Sequence, residues 1–225
     1  MNGKNRDRID GKKKKTGKRL RFTDFLIGLV FLAGLCVMLY PMASDQINRF
    51  RTDRAVARYE QSVSGLSPEQ IGELLKGARE YNLRLKENPD PWSEKGRTPG
   101  YRETLRANES GIMGYITIKK IRVHLPFYHG TEEDVLQTAV GHLEGSSLPV
   151  GDPGGHAVLS AHRGLPSAKL FTDLPELAAG DEFIVTVLGR EMVYKVDQIL
   201  TVLPDSSEAL TCKTRCNPSR SGLSP

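Results

Sequence analysis

The chain has 225 residues, of which 26% are charged and 38% are hydrophobic, a balance typical of one globular domain with appendages. Its formal net charge of +5 arises in residues 1–24, which hold ten Lys or Arg and three Asp, whereas the rest of the chain holds 22 basic and 24 acidic residues. A nucleic-acid-binding domain carries its positive charge on the folded domain, so we expect no nucleic-acid partner.

A charge-free segment, residues 25–44, directly follows the basic tail of residues 1–24. Its length is about what a helix needs to cross a bilayer. The positive charge before it places the N-terminus in the cytoplasm and the rest of the chain outside. The alternative is a cleaved signal peptide, but the apolar stretch is long for one, and Pro41-Met42-Ala43 is a poor cleavage site. We therefore predict a single-pass signal anchor in the cell membrane, with residues 25–44 in contact with lipid.

Residues 45–110 are predicted to form a helical region that ends in a loop. Residues 45–63 have the pattern of a loosely amphipathic helix. A second helix is predicted to begin at Ser67, the N-cap of a capping box with Gln70, and to stop near Asn88, before two prolines. Apolar residues recur along it at helical spacing, namely Ile71, Leu74, Leu75, Ala78, Tyr81 and Leu85.

Residues 88–110 are polar and rich in Pro and Gly, which indicates a loop. This loop contains Asp90-Pro91-Trp92. The tryptophan could simply cover an apolar surface. Alternatively, the acid could pair with a cation and the ring could cover a thiol, so that the segment plugs a pocket. The residues alone leave both interpretations open.

From Gly111 the hydrophobic pattern changes to a period of two, and short segments rich in β-branched and aromatic residues predict an all-β barrel or sandwich with a few short helices. The predicted strands are 114–118, 123–129 (with Pro126 indicating an edge or a bulge), 142–145, 156–162, 183–188 and 192–202, the last two joined by a turn at Gly189-Arg190. The predicted helices are 131–139, capped by Thr131, and 167–177.

His162 is the strongest candidate for acid–base chemistry. It ends an apolar strand and is followed by Arg163 and Gly164, a position that would present an imidazole at the mouth of a barrel. The alternative is a structural histidine whose ring is hydrogen-bonded to loop carbonyl groups, and the residues alone favour neither interpretation. The other four histidines, which are His124, His129, His142 and His156, are predicted to be structural or to lie on the surface.

The three cysteines do not indicate a metal site. Cys36 lies in the apolar segment, and Cys212 and Cys216 have a C-x3-C spacing without a second pair of ligands nearby. Structural zinc needs about four ligands. We therefore expect neither a metal nor a cofactor.

Several stretches resemble sortases of class C, the pilin-polymerising sortases. They are Leu125 to Gly130 (LPFYHG), Gly141 to Pro149 (GHLEGSSLP), Leu159 to Leu177 (LSAHRGLPSAKLFTDLPEL) and Tyr194 to Asp205 (YKVDQILTVLPD). Asp90-Pro91-Trp92 matches the family's lid motif, and His162 matches its acid–base histidine. The resemblance implies an eight-stranded β-barrel and a cysteine transpeptidase. Its thiol would attack the Thr–Gly bond of an LPxTG-like sorting signal, and a lysine of the next pilin would resolve the thioester.

The resemblance weakens after residue 210, where the family has a strand ending in a TLxTC motif and then a strand with the catalytic arginine. Here Thr211-Cys212 and Arg220 only partly match these motifs, and no apolar run precedes Cys212. We therefore expect residues 111–210 to form an incomplete barrel lacking the last two strands, residues 211–225 to be an aberrant tail from a truncation or frameshift, and the chain to be inactive. A non-catalytic, membrane-anchored binding protein and a working enzyme that uses Cys212 remain the alternatives.

Overall fold

The computed structural model describes residues 22–93 and 96–202, and the chain divides into two compact units, residues 1–39 and 40–225. The helices are α1 (Phe22–Ser64), α2 (Pro68–Glu87) and α3 (Glu133–Leu136). The strands are β1 (Ile112–Ile118), β2 (Val123–His129), β3 (Val140–His142), β4 (Leu159–Ser160), β5 (Glu182–Val187) and β6 (Arg190–Lys195). In the described part of the chain, α1 alone is long and apolar enough to cross a membrane, by length and composition.

The start of α2 shows why the sequence signals for this helix were reliable. The Ser67 hydroxyl accepts a hydrogen bond from the backbone N–H of Gln70 at 3.3 Å, and the Gln70 side chain accepts one from the Ser67 N–H at 2.8 Å. This is the predicted capping box, with Pro68 as the first helical residue. The helix ends at Glu87 because Asn88, which precedes a proline, has an extended backbone.

The six strands form a single sheet in the order β4-β3-β2-β1-β5-β6. All neighbouring strands are antiparallel except β2 and β3. Pro126 indicated an edge or a bulge. β2 lies inside the sheet, but its pairing with β1 is irregular next to Pro126, where the register shifts between the pairs Ile112–Tyr128 and Gly114–Phe127. Its pairing with β3 begins at Phe127, one residue after the proline, so the missing N–H group of Pro126 interrupts no bond to β3.

The helices of the second unit cover one face of the sheet and contribute to the core. Their buried apolar residues are Val56, Tyr59 and Val63 of α1 and Leu75, Ala78, Tyr81 and Leu85 of α2. The Tyr59 hydroxyl donates to the carbonyl of Met113 at 2.9 Å and accepts from the N–H of Leu188 at 2.8 Å. Burial raises the pKa of Tyr59 to about 12. The tyrosine therefore ties β1 to the turn that follows β5.

Two predicted helices differ from the structure. Thr131 does not cap the helix after β2, because α3 begins at Glu133 and its N-cap is Glu132, without a side-chain hydrogen bond. Residues 167–177 contain only a 3-10 turn, Leu174–Glu176, in place of the predicted helix. Both segments are short, and a short helix gains little from hydrogen bonds after the cost of its nucleation.

The predicted strands were too long at three places. Residues 156–162 contribute only the two residues of β4, β3 ends at His142, and β6 ends at Lys195. The hairpin turn lies at Leu188-Gly189, one residue before the predicted position. Val187 pairs with Arg190, and a two-residue turn between them has a positive φ at both central residues, which are 49° at Leu188 and 76° at Gly189.

Candidate functional site

An open cleft of about 500 Å³ lies on the inner face of the sheet, with a largely apolar lining. From the sheet it is lined by Ile116, Phe183 and Val185, and it extends from Leu159 of β4, at one edge, to Tyr194 of β6, at the other. A concave apolar surface with a few polar groups is the usual setting for a binding or active site. The polar side chains on its lining are Asp152, His156 and Gln198.

His162 lies two residues beyond the end of β4, so the predicted strand stops short of it. Its carbonyl accepts a hydrogen bond from the N–H of Phe171 at 3.2 Å, and Phe171 lines the cleft. The Gly164 N–H donates to the Thr172 hydroxyl at 3.0 Å, which closes the same loop. The loop therefore holds the backbone of His162 beside the wall of the cleft.

The imidazole of His162 is partly exposed, at 36%, and its Nε2 atom is buried without a hydrogen-bond partner. The charged group facing Nε2 is the carboxylate of Glu133, whose Oε1 atom lies 3.7 Å away, too far for a hydrogen bond. A buried ring nitrogen without a partner is unusual in a folded protein.

The Asp90-Pro91-Trp92 segment packs against the turn that follows β3. A Cβ atom placed on Gly145 would lie 2.6 Å from the Pro91 carbonyl oxygen and 2.9 Å from a ring carbon of Trp92. Trp92 itself is 43% exposed. In the part of the chain that the structure describes, no hydrogen bond or ion pair joins this segment to His162. The segment is thus close to the β3–β4 connection, as a lid would be, without a polar contact to the candidate acid–base group.

The two ends of this loop are anchored by polar side chains. At its start, the Asn88 side chain accepts from the N–H of Asp90 at 3.0 Å and donates to the Thr98 hydroxyl at 3.1 Å. At the other end, Tyr101 is buried, and its hydroxyl lies 2.9 Å from Nδ1 of His142. The loop is therefore fixed at both ends, with the tripeptide between them.

The Tyr101–His142 contact belongs to a buried cluster that sequence reasoning missed. Nε2 of His142 lies 2.9 Å from the carbonyl oxygen of Ser147, and the N–H of Gly130 donates to the Tyr101 hydroxyl at 3.0 Å. His129 stacks edge-on against Tyr101, with ring centroids 5.0 Å apart. Burial lowers the pKa of His142 to about 4 and lowers that of His129 as well. Both histidines are structural, as expected, but nothing in the sequence indicated their common partner.

Asn82 fixes the loop that forms one wall of the cleft. Its side chain accepts from the N–H of Leu148 at 2.7 Å and donates to the carbonyl of Leu148 at 3.1 Å, in a buried setting. Leu148 and Asp152 line the cleft, and Asp152 also forms a 3.1 Å ion pair with Arg79. The sequence signal for Asn82 is a polar residue on the buried side of α2, between Ala78 and Leu85.

The remaining predicted site residues cannot be placed. Cys212, Cys216 and Arg220 lie outside the described residues. Cys36, the cysteine that is described, is exposed in α1. In residues 22–93 and 96–202, no group of three or more His, Cys, Asp or Glu side chains could hold a metal ion.

Comparisons with known proteins agree with the mostly β fold described above. A sortase-domain family model matches residues 116–219. The crystal structure of sortase C1 from Streptococcus agalactiae superposes with a TM-score of 0.65 and 43% identity, covering 70% of this chain and 82% of that one. The chain belongs to the sortase family. Sortase C of Streptococcus pneumoniae superposes with a TM-score of 0.60 and 38% identity, covering 69% of this chain and 80% of that one. These structural neighbours are class C sortases.

The sequence match to sortase D of Bacillus subtilis (strain 168) is shorter. It is 33% identical over 98 residues, and the chain spans 46% of that relative's length. The family assignment explains the sheet, because a mostly β structure with few helices is the sortase fold. The six described strands form a curled half-barrel that matches this fold.

Proposed function

We propose that this chain is a pilin-type sortase, a membrane-anchored cysteine transpeptidase that cleaves LPxTG-like sorting signals and joins pilin subunits by isopeptide bonds. The observation that carries the proposal is the 43% identity to S. agalactiae sortase C1 over most of that chain. The structure of the pneumococcal sortase C gave insight into pilin substrate specificity, and another solved sortase C1 is that of a pilus island. These relatives support pilin as the substrate.

In the proposed reaction, a cysteine thiolate attacks the threonine carbonyl carbon of the sorting signal. The Thr–Gly amide bond breaks, a thioester forms, and the leaving glycine amine takes a proton from His162. The lysine amine of the next pilin then attacks the thioester and gives its proton to the same imidazole, while the thiolate leaves. The unpartnered Nε2 atom of His162 supports this exchange of protons.

The lid assignment belongs to the same proposal. Asp90, Pro91 and Trp92 would cover the sorting-signal site until substrate binds, and the packing of Pro91 and Trp92 on Gly145 supports this role. The anchor, residues 25–44, would hold the enzyme in the cell membrane with residues 45–225 outside. Its length and apolar composition support this placement.

The proposal has two versions: in one, this chain has a working nucleophile, and in the other it does not. Cys212 is the candidate thiol, and Arg220 is the candidate for the arginine that stabilises the oxyanion. However, the segment before Cys212, residues 203–211, has no apolar run to build the strand that would present the thiol. In the second version of the proposal the thiol is therefore not presented to the sorting signal, and the chain belongs to the sortase family without completing this reaction.

A second candidate function is a membrane-anchored, non-catalytic protein that binds sorting signals. The apolar cleft of about 500 Å³ favours it, because a concave apolar surface can hold a peptide without a covalent step. Both candidate functions require binding of a sorting signal, but only the transpeptidase forms a covalent bond to it.

An LPxTG-like peptide with a vinyl sulfone in place of the scissile bond separates them. The full chain in detergent is incubated with this peptide, and intact mass and peptide affinity are both measured. Binding without an adduct supports the non-catalytic function. An adduct on Cys212 that is lost in both C212A and H162A identifies a working enzyme, and C216A serves as the matched thiol control. If the peptide neither binds nor reacts, the proposed substrate class is wrong.

A further inference from the structure

The part of α1 that directly follows the charge-free segment is hydrogen-bonded to the loop after His162. The Ser44 hydroxyl donates to the carbonyl of Ser167 at 3.0 Å. The Asp45 carboxylate accepts from the backbone N–H of Lys169 at 2.7 Å, through its Oδ1 atom. Ser167 and Lys169 lie in a segment without helix or strand. These two contacts therefore hold a loop that has no ladder of its own.

Hydrogen bonds within the loop connect this attachment to His162. The carbonyl of Lys169 accepts from the N–H of Thr172 at 2.8 Å, and the Thr172 hydroxyl accepts from the N–H of Gly164 at 3.0 Å. The N–H of Phe171 donates to the carbonyl of His162 at 3.2 Å. A displacement of Lys169 is therefore passed on to the backbone on both sides of the imidazole.

The same helix also contacts the segment that faces the ring of His162. Asn48 is buried, and its side-chain amide donates to the carbonyl of Thr138, just after α3, at 3.3 Å. The preceding residue, Gln137, donates to Oε1 of Glu133 at 3.1 Å. This oxygen is the atom that lies 3.7 Å from Nε2 of His162. The start of the extracellular part of α1 thus holds both segments that meet at the imidazole.

We propose that Asp45 is a positioning residue for His162, which acts by holding the loop at Lys169 through a side-chain acceptor. Its other oxygen, Oδ2, lies 2.9 Å from Nε of Arg49, and this ion pair orients the carboxylate so that Oδ1 faces the loop. Groups that hold the backbone of an acid–base residue restrict the geometry that its ring can adopt. The inference rests on the role proposed above for His162 and does not depend on which cysteine is the nucleophile.

Two double variants isolate the acceptor, because they differ in a single side chain. D45N/R49M keeps an oxygen that can accept from the N–H of Lys169, and it removes the guanidinium that would face the new amide group. D45A/R49M also lacks the ion pair, but it has no acceptor. Any difference between these two proteins therefore comes from the hydrogen bond to the loop and not from the loss of charge.

The rate at which diethyl pyrocarbonate modifies His162 measures the position of the loop. In the full chain in detergent, D45A/R49M should be modified at His162 roughly fivefold faster than D45N/R49M, because loss of the bond to the carboxylate lets the loop open and exposes the buried Nε2 atom. Mass spectrometry of the peptide that contains His162 gives this rate. The parent and D45N/R49M should react at similar rates.

His142 is the internal control in each sample, because it is fully buried and becomes reactive only when the domain unfolds. If D45A/R49M unfolds, which rapid modification of His142 would reveal, S44A is measured in its place. This variant removes only the bond to Ser167, and it should still accelerate the modification of His162 alone.

Equal rates at His162 in the two double variants would overturn the proposal, since only the acceptor differs between them. A parallel rise at His142 and His162 in both D45A/R49M and S44A would also overturn it, because these residues would then support overall stability. The reaction needs neither a peptide nor a thiol. The expected rates in a chain that does not bind the sorting-signal peptide would therefore support the positioning contact and reject only the proposed substrate.

Discussion

The hydroxyl of Tyr101 lies 2.9 Å from Nδ1 of His142, so the loop that carries Asp90-Pro91-Trp92 is attached to the end of β3 by a buried hydrogen bond. The same hydroxyl lies 2.7 Å from the carbonyl oxygen of His142 and accepts from Gly130. The hydroxyl has one proton. It can donate this proton to the carbonyl of His142 while it accepts from an Nδ1–H group, or donate it to Nδ1 when this ring nitrogen is unprotonated, so the contact can hold the loop in either case.

The first prediction concerns pH. The folded protein keeps His142 neutral down to about pH 4, whereas an unfolded histidine takes a proton near pH 6.5. Between these values the unfolded chain binds more protons, so the free energy of unfolding should fall as the pH is lowered from 6.5 to 4, by about 3 kcal/mol from His142 alone. The lowered pKa of His129 acts in the same direction. Urea unfolding of the full chain in detergent across this range measures the effect.

The matched variant for this prediction is H142Q, which keeps a polar side chain but cannot take a proton. It should be less stable than the parent at pH 7.5, where both are neutral, and its stability should depend less on pH between 6.5 and 4. Identical slopes for the two proteins would show that His142 does not control the acid sensitivity.

The second prediction concerns the contact of the candidate lid with the β3–β4 turn. G145A places a methyl group 2.6 Å from the Pro91 carbonyl oxygen, so this segment must move away from the turn. Trp92 is the sole tryptophan of the chain, and its fluorescence emission should therefore shift to the red. G154A is the control, because Gly154 also has a positive φ, 71°, but has open space where the methyl group would lie. Equal shifts in both variants would indicate backbone strain rather than displacement of the lid.

Much of this architecture could be predicted from residues that act locally. Ser67 and Gln70 determine the start of α2 through contacts with each other, and the alternating pattern of β1 and β2 needs only the pleat of a strand. The extent of β4 could not be predicted in this way. His156 to His162 has a strand-like composition, yet only two residues find a partner in β3. Pairing depends on the neighbouring strand, which local composition does not describe.

The candidate site shows the same contrast between residues in local motifs and residues whose partners are distant in the sequence. His162 and Asp90-Pro91-Trp92 could be proposed as site residues from the sequence because each belongs to a short motif with a recognisable composition. Tyr101 and Asn82 were missed because their partners lie 41 and 66 positions away in the chain. Nothing around either residue in the sequence indicates that its side chain reaches a distant backbone or ring, so three-dimensional structure was needed to find them.

The third prediction concerns Asn82. Replacing it with Ala leaves the N–H and carbonyl groups of Leu148 without their partner in a buried position, and each lost bond costs about 1–3 kcal/mol. N82A should therefore lower the free energy of unfolding by about 2–4 kcal/mol, measured by urea denaturation. R79A, one turn earlier on the same helix, removes only a partly exposed ion pair to Asp152 and should cost less than about 1 kcal/mol. A smaller effect for N82A than for R79A would mean that Asn82 does not fix the cleft wall.

The fourth prediction tests the placement of the chain in the membrane. Residues 25–44 lack charge and follow a tail rich in Lys and Arg, so the basic tail should remain in the cytoplasm and residues 45–225 should lie outside. Protease added to intact protoplasts should digest an epitope placed after residue 202 and spare one placed before residue 20. Lysed protoplasts provide the control, in which both epitopes should be lost. Protection of the C-terminal epitope in intact protoplasts would contradict the proposed orientation. Release of the C-terminal part into the medium without its N-terminal epitope would instead identify a cleaved signal peptide.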